Sequence, residues 1–175
     1  HASYFDIGAT VATANTYAVL RDRLRRVGIE EHFETLLSTA MRTAGEARDA
    51  AGSGRVAASL GPLNASYRPD IFPPSEKAEK IYAEIVANVK DASDILLIET
   101  VTSVEHAEGA LRATDGQGKA VWLAVSTDDF DGSVIRSGEP LADLAPVLAA
   151  HQVDAVLINC SRPEVVAEGL DIIKT

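Results

Sequence analysis

The chain has 175 residues, 46% of them hydrophobic, with one cysteine and a net charge of −10 from 26 acidic and 16 basic side chains. That length and apolar content suit one ordinary domain with a sizeable core. The negative charge argues against a nucleic-acid or anionic-membrane surface, and no apolar run approaches the ~20 residues of a membrane span. A lone cysteine excludes an internal disulfide and points to a reducing compartment, the cytoplasm.

His1 to Gly8 reads as the tail of a helix stopped by Gly8. It has neither an initiator Met nor a basic segment followed by an apolar one, so no signal peptide is expected and the chain is expected to begin in mid-domain. The first predicted strand is Thr10 to Asn15. A short helical piece, Ala18 to Val27, and a turn at Gly28 follow. A longer helix from Glu30 to Ala51 carries Phe33, Leu36, Leu37, Ala40, Met41 and Ala44 on one face, and Gly52-Ser53-Gly54 breaks it. The second strand is Arg55 to Leu60. Three prolines in Leu63 to Pro74 predict an irregular loop, and Ser75 is the expected cap of a helix over Glu76 to Lys90. The third strand, Asp94 to Glu99, leads into a Thr102–Glu105 capping box and a helix to Thr114. The fourth strand is Ala120 to Ser126, with a helix over Leu141 to His151 after an Asp- and Gly-rich loop. The fifth is Ala155 to Asn159, followed by a Ser161–Glu164 capping box and a helix over Pro163 to Lys174.

Each interval between strand starts holds a strand, a loop and a helix, the βα unit of parallel sheets. An α/β fold follows, with the strands parallel and in sequential order. Two architectures fit, an open doubly wound sheet or part of a (βα)8 barrel. The absence of Gly-x-Gly-x-x-Gly and of a phosphate loop weakens the first. Five units are too few to close a barrel of roughly 250 residues.

In such folds the chemistry gathers at the carboxyl ends of the strands. Here those ends offer Asn15-Thr16-Tyr17, Gly61-Pro62, Glu99-Thr100, Ser126-Thr127 and Asn159-Cys160. Tyr17, Pro62, Glu99, Thr127 and Cys160 are therefore expected on one rim. Glu99, at the lip of an apolar strand, needs a partner: a nearby Arg, the next helix's amides, or the amine of a substrate. Cys160 reads either as a small buried hydrophobe or as a functional thiol. Asn159 bonds either its own loop backbone or a substrate. Tyr17 packs at the rim, with its hydroxyl available to a ligand. Asp128-Asp129-Phe130-Asp131-Gly132 lacks the spacing of a Ca²⁺ loop and reads as a solvated acidic turn. His1, His32, His106 and His151 fall on or near helices and are expected at the surface or at helix ends. No Cys-His-Asp arrangement supports a cysteine hydrolase.

Gly8-Ala9-Thr10 to Asn15-Thr16-Tyr17, Leu60-Gly61-Pro62 with Ser66-Tyr67-Arg68-Pro69-Asp70, Leu97-Ile98-Glu99-Thr100, and Ile158-Asn159-Cys160, in that order, resemble the homocysteine S-methyltransferase family. The resemblance implies a (βα)8 TIM barrel that holds zinc on three cysteine thiolates. It also implies methyl transfer to homocysteine, giving methionine, from a small donor such as S-methylmethionine, S-adenosylmethionine, betaine or a methylfolate. Carried over, Cys160 is a zinc thiolate at the end of the sixth strand and Glu99 holds the amino group of homocysteine. Asn159 and Tyr17 are supporting substrate contacts. The family's Gly-Gly-Cys-Cys segment and its Asp-Gly-rich first strand are missing, so residues 1–175 are expected to be a partial homocysteine-binding barrel domain, strands two to six with their helices. One thiolate does not make a catalytic zinc site. This stretch alone is expected to bind zinc weakly or not at all and to be inactive. The competing reading is a non-catalytic barrel fragment that binds an amino acid or a partner chain, because five unclosed strands leave two edges open to another chain or a second copy. A third is a different barrel enzyme using Glu99 for acid–base work.

Overall fold

A computed structural model describes residues 1–174. Strands β1 (Val11–Ala14), β2 (Arg55–Leu60), β3 (Ile95–Val101), β4 (Ala120–Val125) and β5 (Ala155–Ile158) form one sheet. Its order is β1-β2-β3-β4-β5 and every pairing is parallel. Helices α1 (Ala2–Asp6), α2 (Arg21–Arg26), α3 (Phe33–Ala51), α4 (Ser75–Val89), α5 (Val104–Thr114), α6 (Ala145–Ala150) and α7 (Pro163–Ile173) accompany it. A strictly sequential order has no point at which a doubly wound sheet reverses, so crossovers of one hand keep the helices on one face.

The packing follows. Alternate strand residues Ala12, Ala14, Val56, Ala58, Leu60, Leu96, Ile98, Val121, Leu123 and Val125 join Leu37, Met41, Tyr82, Ile85 and Leu111 of the helices in one core. The intervening residues, among them Arg55, Ser59, Leu97 and Trp122, line the other face of the sheet. On α3 the predicted face is buried through Phe33, Leu37, Met41 and Ala44, and Gly52 closes the helix in the left-handed conformation at φ 73°. Asp94 and Asp154 each precede a strand, and each accepts the first free amide of the neighbouring strand, Val56 and Val121, at 2.8 Å. No helix among the described residues is long and apolar enough to cross a membrane.

Local details depart from the expectations where tertiary partners intervene. Ser75 is the first residue of α4 rather than its cap, and the Glu105 carboxylate accepts its amide from the next helix. With Glu105 so engaged, the cap of α5 is Ser103, which accepts the His106 amide at 3.1 Å. Ser161 does not cap α7 either: its hydroxyl accepts the Thr127 amide at 2.9 Å and donates to Asn159 O. Glu30–His32 and Leu141–Leu144 are 3₁₀ turns leading into helices, and the proline-rich loop holds another at Pro69–Ile71. His106 is wholly buried, not at the surface. His151 is also largely covered, its ring held between Asp115 at 2.6 Å and Glu108 at 3.3 Å.

α4 and α5 meet at Gly109, where an added Cβ would lie 2.7 Å from the Ala78 Cβ and 3.1 Å from Ser75 O. Gly109→Ala gains about 1 kcal/mol of helix propensity but overpacks this contact, at a cost of about 1–3 kcal/mol. Net destabilisation is expected in urea titration; a rise in stability would show that the two helices separate freely.

Candidate active site

All five strands end on the same edge of the sheet, as parallel pairing requires. Glu99 sits near the end of β3 and is half-buried. Beyond it the register between β3 and β4 shifts, between Ile98 and Val101, and Thr100 adopts φ 59°. Positive φ in a β-branched residue is strained, and such strain persists where surrounding contacts over-determine it. Cys160, at φ 51°, is a second strained residue, and the Thr100 hydroxyl lies 3.5 Å from its Sγ. The thiol is exposed, so the reading of Cys160 as a small buried hydrophobe is set aside.

Asn159 ties these groups together. Its Oδ1 accepts the Thr100 amide at 3.2 Å, and its Nδ2 points to Glu99 Oε2 at 3.4 Å and to Thr100 Oγ1 at 3.5 Å. Its carbonyl accepts the Ser126 hydroxyl at 3.1 Å. The side chain thus bridges β5 to β3 instead of bonding its own loop. Among the described residues Glu99 has no cationic partner and no bond to the next helix's amides; the Asn159 amide is the contact it makes. A half-buried carboxylate left this way is a ready acceptor for an ammonium group.

Two further side chains flank the thiol. Tyr67, at φ 60°, bonds Cys160 through its phenol; that bond, with partial burial, pushes the phenol's pKa up to about 12. Arg136 lies over the Tyr67 ring at 5.3 Å, and its Nη2 reaches Asp129 Oδ1 at 2.8 Å and Cys160 O at 3.3 Å. Asp128 and Asp131 accept amides of their own turn, as a solvated acidic turn should. On the β1–β2 side, Tyr17 bonds Ser66 at 2.8 Å, and its carbonyl passes so close to Gly61 that a Cβ there would lie 2.3 Å away. The structure therefore brings Glu99, Asn159 and Cys160 into one cluster and places Tyr17 beyond the end of β1, bonded to Ser66, the residue before Tyr67. Sequence reasoning gave no role to Thr100, Tyr67, Arg23 or Arg136. Tyr67 does fall in a segment that carries the family resemblance.

Cys160 is the one cysteine, and no group of three or more His, Cys, Asp or Glu among the described residues is placed to hold a metal ion. The exposed thiol fits as a single zinc donor; these residues alone do not complete a donor set.

The family model for homocysteine S-methyltransferase matches residues 1–175. The chain belongs to the homocysteine S-methyltransferase family. It is 26% identical to Homocysteine S-methyltransferase 1 of Zea mays over 197 residues, covering 97% of this chain and 59% of that protein. The homocysteine methyltransferase MmuM of Escherichia coli, in its metallated form, superposes with a TM-score of 0.85 at 26% identity, over 99% of this chain and 65% of its own. Its oxidized form gives 0.87, over 99% of this chain and 64% of its own. The chain thus spans about three-fifths to two-thirds of these family members.

Proposed function

We propose that the chain supplies strands two to six of a (βα)8 barrel that transfers a methyl group from a small donor to the thiolate of homocysteine, giving methionine. The remaining strands and two further thiolates would come from outside this sequence. The observation that carries the reading is Glu99, an unpaired, half-buried carboxylate at a strand end, joined through Asn159 to an exposed thiol. Sequential parallel strands with an open face and the partial coverage of the relatives support the barrel. A compartment that keeps Cys160 reduced, such as the cytoplasm, suits this chemistry.

When bound, zinc lowers the pKa of a coordinated thiol, so that homocysteine is present as a thiolate at neutral pH. Cys160 would be one of its holders, with Thr100 and Tyr67 aiming the sulfur. Glu99 takes the α-ammonium of homocysteine, and the Asn159 amide keeps that carboxylate turned toward the mouth. The homocysteine sulfur then attacks the donor methyl carbon in line. The bond from that carbon to the donor's sulfur or nitrogen breaks, and its electron pair stays on the donor. Holding both reactants in one mouth is the main source of acceleration.

The test is a transfer assay on the full-length, zinc-loaded protein with homocysteine and methyl-labelled donors. Labelled methionine is expected from at least one of S-methylmethionine, S-adenosylmethionine, betaine or methylfolate. Failure with all four would leave the non-catalytic fragment, with free edges at β1 and β5, as the better reading.

A further inference from the structure

We infer that Arg23, held beside the ends of β1 and β2, anchors the carboxylate of the methyl donor; the inference rests on the methyl-transfer reading above. Helix α2 reads Arg-Asp-Arg-Leu-Arg-Arg in a chain of net charge −10. Three of its four arginines are neutralised: Arg21 by Glu84 at 2.7 Å, Arg25 by Glu30 at 2.6 Å and Arg26 by Asp22 at 3.0 Å. Arg23 is not; among the described residues no carboxylate lies within ion-pair distance of it.

Its guanidinium is nonetheless held in place. Nη2 donates to the Pro62 carbonyl at 2.9 Å and lies 3.5 Å from the Ser66 hydroxyl, and the group sits 5.5 Å from the centroid of the Tyr17 ring. All three are at the ends of β1 and β2. A guanidinium has five N–H donors. Among the described residues those on Nε and Nη1 have no protein acceptor. A fixed, half-buried cation with free donors and no counter-charge is a carboxylate site.

The strand ends therefore hold two unmatched charges of opposite sign. Glu99 lies near the end of β3 and Cys160 follows β5, whereas Arg23 is tied to the segments that follow β1 and β2. β2 lies between β1 and β3, and strands ~4.8 Å apart put the ends of β1 and β3 about 10 Å from one another. Homocysteine, held by its ammonium at Glu99 and by its sulfur near Cys160, occupies the β3–β5 side. The β1–β2 side stays open to the second reactant, and Arg23 there selects a donor that carries a carboxylate. The carboxylate takes no part in the bond changes, so Arg23 is a binding and specificity residue.

Calorimetric titration of the full-length, zinc-loaded protein tests this with two ligand pairs. The donor pair is S-methylmethionine and its α-carboxamide; the acceptor pair is homocysteine and 3-aminopropane-1-thiol, which lacks the carboxylate. The native protein should prefer S-methylmethionine over the amide by roughly ten- to a hundred-fold, the range for a hydrogen bond to a charged group. Arg23→Gln should erase that preference and leave homocysteine affinity unchanged, and Arg23→Lys should retain part of it. Equal weakening of S-methylmethionine and its amide would make Arg23 a strut for Pro62 and overturn the inference. So would a preference that survives in Arg23→Gln, or a native protein that binds homocysteine but shows no preference for the acid. Loss confined to the homocysteine pair would move the carboxylate to the acceptor and overturn the donor assignment. Absence of homocysteine binding in the native protein would instead remove the methyl-transfer reading itself.

Discussion

Glu99→Ala in the full-length protein is expected to weaken homocysteine binding strongly while leaving zinc content intact. The ammonium loses the one carboxylate this side of the mouth offers it without competition from a protein cation. Truncating one partner of a buried charge pair costs on the order of 2–5 kcal/mol, roughly 30- to 4,000-fold in affinity. Glu99 is half-buried, so the lower end of that range is the expectation. Cys160→Ala should behave differently, because it removes a proposed metal ligand: zinc content and activity should fall together. Metal analysis and homocysteine titration of both variants separate the two roles. Normal homocysteine affinity in Glu99→Ala would make Glu99 a structural residue, and normal zinc content in Cys160→Ala would remove the thiol from the metal site.

Acidification is expected to destabilise the fold through His106, with an effect of comparable size. The ring is fully buried and stacked on Phe72 at 4.3 Å between centroids. Its Nδ1 accepts the Thr102 amide at 3.4 Å, its Nε2 lies 2.9 Å from the Tyr82 hydroxyl, and that hydroxyl donates to Gly61 O at 3.0 Å. This chain of donors assigns the proton to Nε2 of a neutral ring. Burial pushes the histidine down to about 3 from the ordinary 6.5. The unfolded chain therefore takes up a proton first as the pH falls. The contribution is fully present above pH 6.5 and declines through the window from 6.5 to 3, by something on the order of 4 kcal/mol. Carboxylates held down by arginines, such as the exposed Asp70 and the half-buried Asp129, add their own acid sensitivity. They persist in His106→Phe, so the difference in slope between the two proteins isolates the histidine. Urea titrations at several pH values should show a flatter acid limb for His106→Phe. An unchanged slope would mean that the ring is hydrated in solution.

The strands and their order were legible because four to six mostly apolar or small residues recur between glycine- and proline-bearing loops. The polar residues that end those runs were legible for the same reason, and Glu99, Asn159 and Cys160 do meet. The caps were not. Ser75 is a residue type suited to a cap, and Glu105 and Ser161 carry the right spacing for local boxes, yet each bonds a group elsewhere in the chain, and local spacing carries no information about that. The burial of His106 escaped because a ring hidden by Phe72, from a proline-rich loop, leaves no helical-face signal of its own. Thr100, Tyr67 and Cys160 all take positive φ, a conformation whose usual marker, glycine, is missing at each position. Arg23 has no sequence signal of its own, because only the fold distinguishes it from the three paired arginines of α2.

Trp122, the one tryptophan of the chain, lies half-buried on the sheet face away from the helical core, with the Arg55 guanidinium 5.2 Å from the centroid of its ring. Its indole is therefore a built-in optical reporter of what lies against that face. Any additional strand, or a second copy, that covers the face would dehydrate the ring. A blue-shifted emission on mixing would record that covering directly, without a label and independently of any catalytic assay.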